Sequence, residues 1–176
     1  ASNRILFATV WMQGRDLSYR SVAHWHGEAI AEADLKDPRG IAVDAAGNVY
    51  IAAMEQAKVL RFSKEGAFLG AFGLGADGND LPHEGMCEVA VDPAGRVLAA
   101  DRKTGPPRVE VFDGDGNWLL GFAPKGAQPE MVAEPSGLAF HPDGRIFVAD
   151  MDAMRVAVFD DQGTFLHLLR EHAPKG

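Results

Sequence analysis

The 176-residue sequence predicts an all-β protein built from repeated four-stranded antiparallel sheets. Between residues 135 and 159, apolar runs of three or four residues are separated by turn formers such as His141-Pro142-Asp143-Gly144. Runs this short, bounded by Pro, Asp and Gly, are typical of strands joined by hairpins. The same pattern occurs twice more upstream, and twenty Gly and ten Pro supply the many turns that it requires.

Three copies of this pattern align at a shared hairpin turn, which contains Gly47, Gly95 and Gly144. The spacings are 48 and 49 residues (95 − 47 and 144 − 95). A period in the forties with four strands per unit is typical of β-propeller blades. The first strands of the copies begin, in order, at Pro38, Met86 and Pro135.

Each copy continues with two more predicted strands. The third strand follows a basic residue and ends in Phe, and the predicted ranges are 59–62, 109–112 and 156–159. A second Gly turn leads to the fourth strand, at 68–72, 118–122 and 165–169. Because nearly every strand position is apolar rather than every second one, we expect each sheet to pack on both faces, as a blade does.

The consensus of the first copy, Pro38-Arg39-Gly40-Ile41-Ala42-Val43-Asp44-Ala45-Ala46-Gly47-Asn48-Val49-Tyr50, resembles the NHL repeat of β-propellers. The resemblance covers residues 38–170. It implies one propeller domain, similar to six-bladed propellers, with blades at 38–85, 86–134 and 135–176. NHL consensus positions are mostly turn and core residues, so the resemblance predicts the fold more directly than the activity. Because the repeat is clear and the sequence has no intact catalytic constellation, we expect a protein- or ligand-binding interaction module, alone or as a subunit of a larger assembly.

Residues 1–37 are less regular and are predicted to form the outer half of a further blade. Asn3-Arg4-Ile5-Leu6-Phe7 resembles a third strand, and residues 19–25 resemble a fourth. About three and a half blades are too few to close a ring alone, because rings usually have four to eight. We therefore expect a partial ring, or a ring that a protein partner or a second copy of the chain completes.

Composition excludes several functions. The net charge of −8 argues against binding to nucleic acid, which usually requires a basic surface. No apolar run approaches the length of a membrane helix, so membrane insertion is not expected. Cys87 is the single cysteine, so no internal disulfide forms. The start at Ala1 without a signal peptide leaves the compartment open, with a periplasmic or extracellular location preferred.

Loops that enter the innermost strands of a propeller converge at one end of the channel, which is the expected ligand site. The alignment places Arg39, Cys87 and Ser136 just before the consensus Gly position of the three copies. In the second copy, Glu88 replaces that Gly. We predict no catalytic residue, metal or cofactor. The expected ligand-binding residues are Arg39, His83, Glu84, Cys87, Glu88 and Ser136.

A metal-dependent propeller enzyme is the alternative interpretation. Ala100-Asp101-Arg102-Lys103-Thr104-Gly105 resembles a segment of peptidylglycine α-amidating lyases, and that resemblance implies metal-binding His residues before several inner strands. The corresponding positions hold no His in this sequence. His83, in a Pro-His pair, lies nine residues before Asp92, whereas the lyase motif requires five.

Gluconolactonase-type propellers provide a second form of this alternative. Ser136-Gly137-Leu138-Ala139 resembles their Asn-Gly-Leu-Ala segment with Ser in place of Asn, and Glu84-Gly85 resembles their Glu segment. The resemblance implies a divalent cation, with Asp101 or Asp150 as a further ligand. A Ser in place of the Asn removes a strong oxygen ligand. The non-enzymatic interaction module is therefore the leading interpretation.

Other polar patterns are expected to be structural. Asp101 and Asp150 end second strands, where we expect them to accept hydrogen bonds from the backbone or from the Arg that begins the third strand. His24 and His26 are expected to be an exposed pair on an edge strand. Residues 113–117 resemble a calcium loop but lack the Glu that would close it, so they are predicted to form a hairpin turn.

Overall fold

The computed structural model describes residues 5–13, 16–25, 33–73, 85–102, 108–124 and 128–169, with only the backbone for 5–25 and for Arg108. These ranges are almost entirely strand and turn, with one 3₁₀ helix, Met54–Gln56. The strands form three four-stranded antiparallel sheets and one two-stranded sheet. The predicted all-β class with repeated four-stranded sheets is therefore confirmed.

Each four-stranded sheet contains four consecutive strands in sequential order, and we call the sheets blades 1, 2 and 3. Blade 1 contains β3 (Pro38–Val43), β4 (Val49–Ala53), β5 (Lys58–Phe62) and β6 (Phe68–Gly73). Blade 2 contains β7 (Met86–Val91), β8 (Val97–Asp101), β9 (Arg108–Phe112) and β10 (Trp118–Phe122). Blade 3 contains β11 (Pro135–Phe140), β12 (Ile146–Asp150), β13 (Arg155–Phe159) and β14 (Phe165–Leu169).

The two-stranded sheet is formed by the first part of the chain. Its strands β1 (Ile5–Gln13) and β2 (Asp16–Trp25) pair antiparallel. The predicted strand at 19–25 lies within β2, whereas β1 extends well beyond the short strand predicted at 3–7. Within the described part of the chain, no helix has the length and apolarity to cross a membrane.

The hairpin turns explain why the strands end where they do. Gly47, Gly95 and Gly144 have φ angles of 90°, 84° and 93°, a left-handed conformation that favours glycine. In the turn between β7 and β8, the Asp92 carboxylate accepts hydrogen bonds from the N–H groups of Ala94 (2.9 Å) and Arg96 (2.8 Å). Asp92 and Gly95 therefore fix the hairpin between β7 and β8 locally.

The blades pack side by side through their apolar faces. β3 lies beside β7, and β7 lies beside β11, so the first strand of each blade is the innermost one. β4 and β8 are buried at all five positions, as the two-sided apolar pattern predicted. We call the face of a blade that points toward the next blade its far face, and the opposite side its near face.

Two apolar cores lie between the blades. The core between blades 1 and 2 contains the far-face residues Tyr50, Ala52 and Val59 and the near-face residues Val89, Val97, Ala99 and Phe112. The core between blades 2 and 3 contains the far-face residues Leu98, Ala100, Val109 and Val111 and the near-face residues Ile146, Val148, Ala157 and Phe159. Equivalent positions of the repeat therefore make equivalent contacts.

A second contact between blades recurs at the outer strands. The Phe72 and Phe112 rings lie 5.1 Å apart, and the Phe122 and Phe159 rings lie 4.9 Å apart. Arg96 of blade 2 donates a hydrogen bond of 3.1 Å to the backbone oxygen of Asp161 in blade 3. These repeated contacts hold the three blades in one regular array.

Candidate functional site

Strand pairing brings the beginnings of the inner strands to one end of the array. Pro38 is paired with Ala53, Met86 with Asp101 and Pro135 with Asp150. We call this the loop end and call the opposite side, with the turns at 44–48, 92–96 and 141–145, the hairpin end. The predicted residues Arg39, Cys87 and Ser136 each follow the first residue of an inner strand. Because the three pairings are equivalent, these residues occupy equivalent positions at the loop end.

Arg39 lies on the surface at the loop end, with 47% of its side chain exposed. Its guanidinium forms an ion pair with Asp37, with Nε 3.0 Å from Oδ1 and Nη2 donating to Oδ2 at 3.1 Å. The backbone oxygen of Asp37 also accepts a hydrogen bond of 3.1 Å from the N–H of Met54. The loop is therefore anchored while Arg39 keeps N–H donors facing solvent.

Cys87 is buried, whereas Arg39 and Ser136, at the equivalent positions of blades 1 and 3, are exposed. The side chain is buried, and Sγ lies 3.2 Å from the backbone oxygen of Pro135 and 3.5 Å from that of Ala100. Burial raises the pKa of the thiol to about 12 against the opposing charge of Arg102. The thiol is therefore protonated at neutral pH and links blade 2 to blade 3, which is a structural role.

Glu88 is half-buried where the inner strands of blades 1 and 2 lie in close contact. A Cβ added to Gly40 would lie 2.8 Å from the Glu88 Cα atom, so only glycine fits on the β3 side of this contact. Loss of water around the carboxyl raises the pKa of Glu88. Glu88 is therefore a carboxyl group near the inner strands that takes up a proton more readily than a solvated one.

Two further charged residues, Arg102 and Glu134, lie at the loop end. Neither was assigned to the site from the sequence. Arg102 Nη1 lies 3.6 Å from the Glu134 carboxylate, and both side chains are about one third exposed. Ser136, on the neighbouring strand, is exposed, with Oγ 3.5 Å from the backbone oxygen of Ala149. The sequence places Arg102 directly after β8 and Glu134 directly before β11, which indicates that both lie at the loop end. Their pairing depends on the path of the connecting loop.

Asp150 holds this loop in place. Its carboxylate accepts hydrogen bonds from the N–H groups of Ala133 (3.1 Å) and Glu134 (3.0 Å) and from Arg155 Nε (3.3 Å). Arg155 Nη2 in turn donates to the backbone oxygens of Met131 (2.7 Å) and Gln128 (3.0 Å). The predicted structural role of Asp150 is confirmed, and it extends to the loop that positions Glu134 and Ser136.

Other predicted positions fall partly or wholly outside the described residues. These are His83, Glu84 and His26, together with the side chains of His24 and Arg108. The predicted turn at 113–117 is confirmed, because Asp113 accepts hydrogen bonds from the N–H groups of Asp115 and Asn117. Among the residues that the structure describes, no group of three or more His, Cys, Asp or Glu is placed to hold a metal ion.

Repeated four-stranded blades around common inner strands define this chain as a β-propeller protein. Residues 133–159, which span β11 to β13, match the NHL repeat family. Blade 3 of this propeller therefore contains an NHL repeat, as the sequence pattern suggested.

Curated relatives point to the same repeat. The chain is 26% identical over 170 residues to the protein brain tumor of Drosophila melanogaster, covering 94% of this chain and 16% of that protein. It is 31% identical over 142 residues to human NHL repeat-containing protein 3, covering 75% of this chain and 38% of the relative. The chain thus spans less than two fifths of the length of these relatives.

Solved structures with a similar fold include two enzymes. A streptogramin B lyase structure aligns with a TM-score of 0.60 at 15% identity, covering 77% of this chain and 41% of that one. A gluconolactonase from Xanthomonas campestris aligns with a TM-score of 0.58 at 20% identity, covering 79% of this chain and 50% of that one. At these identities the likeness establishes the fold alone.

Proposed function

We propose that the chain is an interaction module that binds a protein partner through the loop end of its blades. The proposal rests on the contrast between the packed strands of the blades, which form a rigid frame, and the polar residues of the loops. The strands are joined by continuous apolar cores, whereas the starts of the inner strands at the loop end carry unlike polar groups, Arg39, Glu88 and Ser136. A rigid frame with variable polar loops is a common arrangement for recognition.

The charges at the loop end indicate the kind of surface that would fit. The pairs Arg39–Asp37 and Arg102–Glu134 place both signs of charge there, each pair partly exposed. Polar and charged groups spread over three adjacent blades suit the broad contact of a protein partner. Arg39 is the expected main contact, since arginine is enriched among the residues that dominate binding energy.

Affinity capture with two charge-reversal variants tests this proposal. Arg39→Glu reverses a charge at the loop end, and Lys64→Glu makes the same change in the β5–β6 turn, on the opposite side of blade 1. Bound proteins from the source organism are identified by mass spectrometry and their affinities are then measured. We expect Arg39→Glu to weaken binding of a specific partner about tenfold or more, because a contact of about 1.4 kcal/mol or more is lost.

Lys64→Glu is the matched control and should leave that affinity unchanged. The proposal is wrong if the wild-type chain retains no specific protein, or if both variants bind the partner as tightly as the wild-type chain. Thermal unfolding of both variants checks that the fold is intact. Both side chains are largely exposed, so their melting temperatures should stay close to that of the wild-type chain.

A further inference from the structure

Glu88 occupies an inner-strand position at which the other two blades have glycine, Gly40 and Gly137. In blade 1, a Cβ on Gly40 would lie 2.8 Å from both the Glu88 Cα atom and the Val89 backbone nitrogen, so there is no room for a side chain beside the next blade. In blade 2 the same position carries a carboxyl group, although β11 of the next blade lies beside β7. Blade packing therefore does not require the Glu88 side chain, and its presence needs another explanation.

The strand pairing shows on which side of blade 2 the Glu88 side chain lies. Glu88 is paired with Ala100, which lies in the core between blades 2 and 3. Paired residues of neighbouring strands lie on the same face of a sheet, and successive residues of a strand lie on opposite faces. Val89, the next residue, lies in the core between blades 1 and 2, as this alternation requires. The Glu88 carboxyl group therefore lies on the blade 3 side of the innermost strand, at the loop end.

The Glu88 carboxyl group has no partner among the residues that the structure describes. None of them donates a hydrogen bond to it or forms an ion pair with it. Arg39 and Arg102, which also lie at the loop end, are paired with other carboxylates, Asp37 and Glu134. Both oxygens of Glu88 therefore keep acceptor positions that a ligand can use.

Partial burial makes this unpaired carboxylate sensitive to an arriving positive charge. Loss of water raises the pKa of Glu88, and no neighbouring charge lowers it again. A cation beside the carboxylate would favour its ionised form, and the resulting pair would be less screened by water than one on an open surface. Part of the desolvation that pairing requires is already present in the free chain, so less remains to oppose binding.

An organic cation fits this position better than a metal ion. Calcium and zinc sites need several ligands in a defined geometry. Within the described ranges, no three His, Cys, Asp or Glu side chains are placed to hold a metal ion, so Glu88 is not part of such a group. A Lys ammonium or an Arg guanidinium needs only one carboxylate, and its remaining N–H groups can stay in water.

We propose that Glu88 is a specificity-determining residue of the loop end and that it binds a Lys or Arg side chain which the protein partner inserts between the inner strands of blades 2 and 3. This inference rests on the proposed function, because it names the chemistry by which the same loop-end site selects its partner. Glu88 selects for a basic group in two ways. Its carboxylate attracts the positive charge, and a neutral or acidic side chain would leave it desolvated and unpaired.

Selection from a phage-displayed library of random dodecapeptides tests this inference with three forms of the chain. Glu88→Gln keeps the shape of the side chain and removes its charge. Glu65→Gln is the matched control, because Glu65 is largely exposed in the β5–β6 turn at the hairpin end. We expect the wild-type chain and Glu65→Gln to enrich peptides with Lys or Arg at one fixed position, and Glu88→Gln to lose this preference. A synthetic peptide of the enriched sequence should bind Glu88→Gln about tenfold more weakly than the wild-type chain, because a charge-assisted hydrogen bond is lost.

The titration of the Glu88 carboxyl carbon, followed by NMR, gives a readout that a purely structural role would not change. Adding the synthetic peptide should lower the pKa of Glu88, because the bound cation favours the carboxylate. Enriched peptides without a basic position, an equal preference in Glu88→Gln, or a Glu88 pKa that the peptide leaves unchanged would each overturn the inference. The proposed function is judged separately by affinity capture. A captured partner that Arg39→Glu weakens and Glu88→Gln does not would overturn this inference and leave the proposed function standing.

Discussion

Asp150 shows how one buried carboxylate organises the loop end. Burial alone would raise its pKa, but hydrogen bonds from the N–H groups of Glu134 and Ala133 outweigh that effect and hold the pKa below its ordinary value. Arg155, which is itself bound to the loop at 128–131, adds a charged partner. Blade 1 has Ala53 at the equivalent position, so its entering loop is held without this carboxylate, through the backbone hydrogen bond from Met54 to Asp37.

Replacing Asp150 with Ala should lower the free energy of unfolding by about 3 kcal/mol, because Arg155 loses its buried partner and three backbone N–H groups lose their acceptor. Chemical denaturation measures the effect. Asp143→Ala is the control: its carboxylate binds Arg145 and His141 in an exposed turn of the same blade, so little change is expected. Equal stability of the two variants would contradict the assigned role.

The pH dependence of this effect has a definite sign. Because the pKa of Asp150 is lower in the folded chain than its ordinary value of 3.8, its contribution to stability is present above that value and is lost as the pH falls through the folded pKa. The stability difference between wild type and Asp150→Ala should therefore shrink in acid. A difference that stays constant down to about pH 2 would show that the carboxylate charge does not contribute.

At the level of strands and turns, the recurring contact between an outer-strand Phe and the next blade has a strict steric requirement. A Cβ added to Gly116 would lie 2.6 Å from the Phe72 ring, and one added to Gly163 would lie 2.7 Å from Phe122. Both glycines also have positive φ angles, 91° and 78°. In blades 2 and 3, the second Gly turn is therefore needed for blade packing as well as for turn geometry.

Two glycine substitutions separate these requirements. Gly95→Ala should destabilise the chain by about 1 kcal/mol, since Gly95 has a φ of 84° but no atom within 4 Å of an added Cβ. Gly163→Ala should cost about 3 kcal/mol, because overpacking against Phe122 is added to a similar backbone strain. Thermal or chemical unfolding gives both values. Equal losses would mean that Phe122 moves aside without cost.

The repeat pattern was sufficient to predict the blades, because turn residues and apolar runs act locally and each copy confirmed the register of the others. The position of β1 was predicted less well, since residues 1–37 have no second copy in the sequence for comparison. The burial of Cys87 was also not predicted. Its contact with Pro135, 48 residues away, depends on how blade 2 packs on blade 3.

The arrangement of residues at the loop end was predicted only in outline, and their role in binding stays a prediction. The alignment placed Arg39, Cys87 and Ser136 at equivalent positions, which the strand pairing reproduces. It did not indicate that Cys87 would be buried or that Arg102 would lie near Glu134. Contacts between residues of different loops depend on long-range packing. Local periodicity in the sequence does not encode them.

The three described blades form an array with two ends, and charged pairs lie at both. The loop end has Arg39–Asp37 and Arg102–Glu134. At the hairpin end the pairs Arg96–Asp92 and Arg145–Asp143 are formed within single turns. We place the proposed recognition of a partner at the loop end, because the unlike residues Arg39, Glu88 and Ser136 lie there.

Hydrogen–deuterium exchange of the chain with its captured partner tests the assignment of recognition to the loop end most directly. The account predicts that binding slows exchange in peptides covering 37–39, 86–88 and 134–136, where the inner strands begin. Peptides covering the turns at 44–48, 92–96 and 141–145 should exchange at the same rate with and without the partner. Protection confined to these turns, with none at the loop end, would contradict the account.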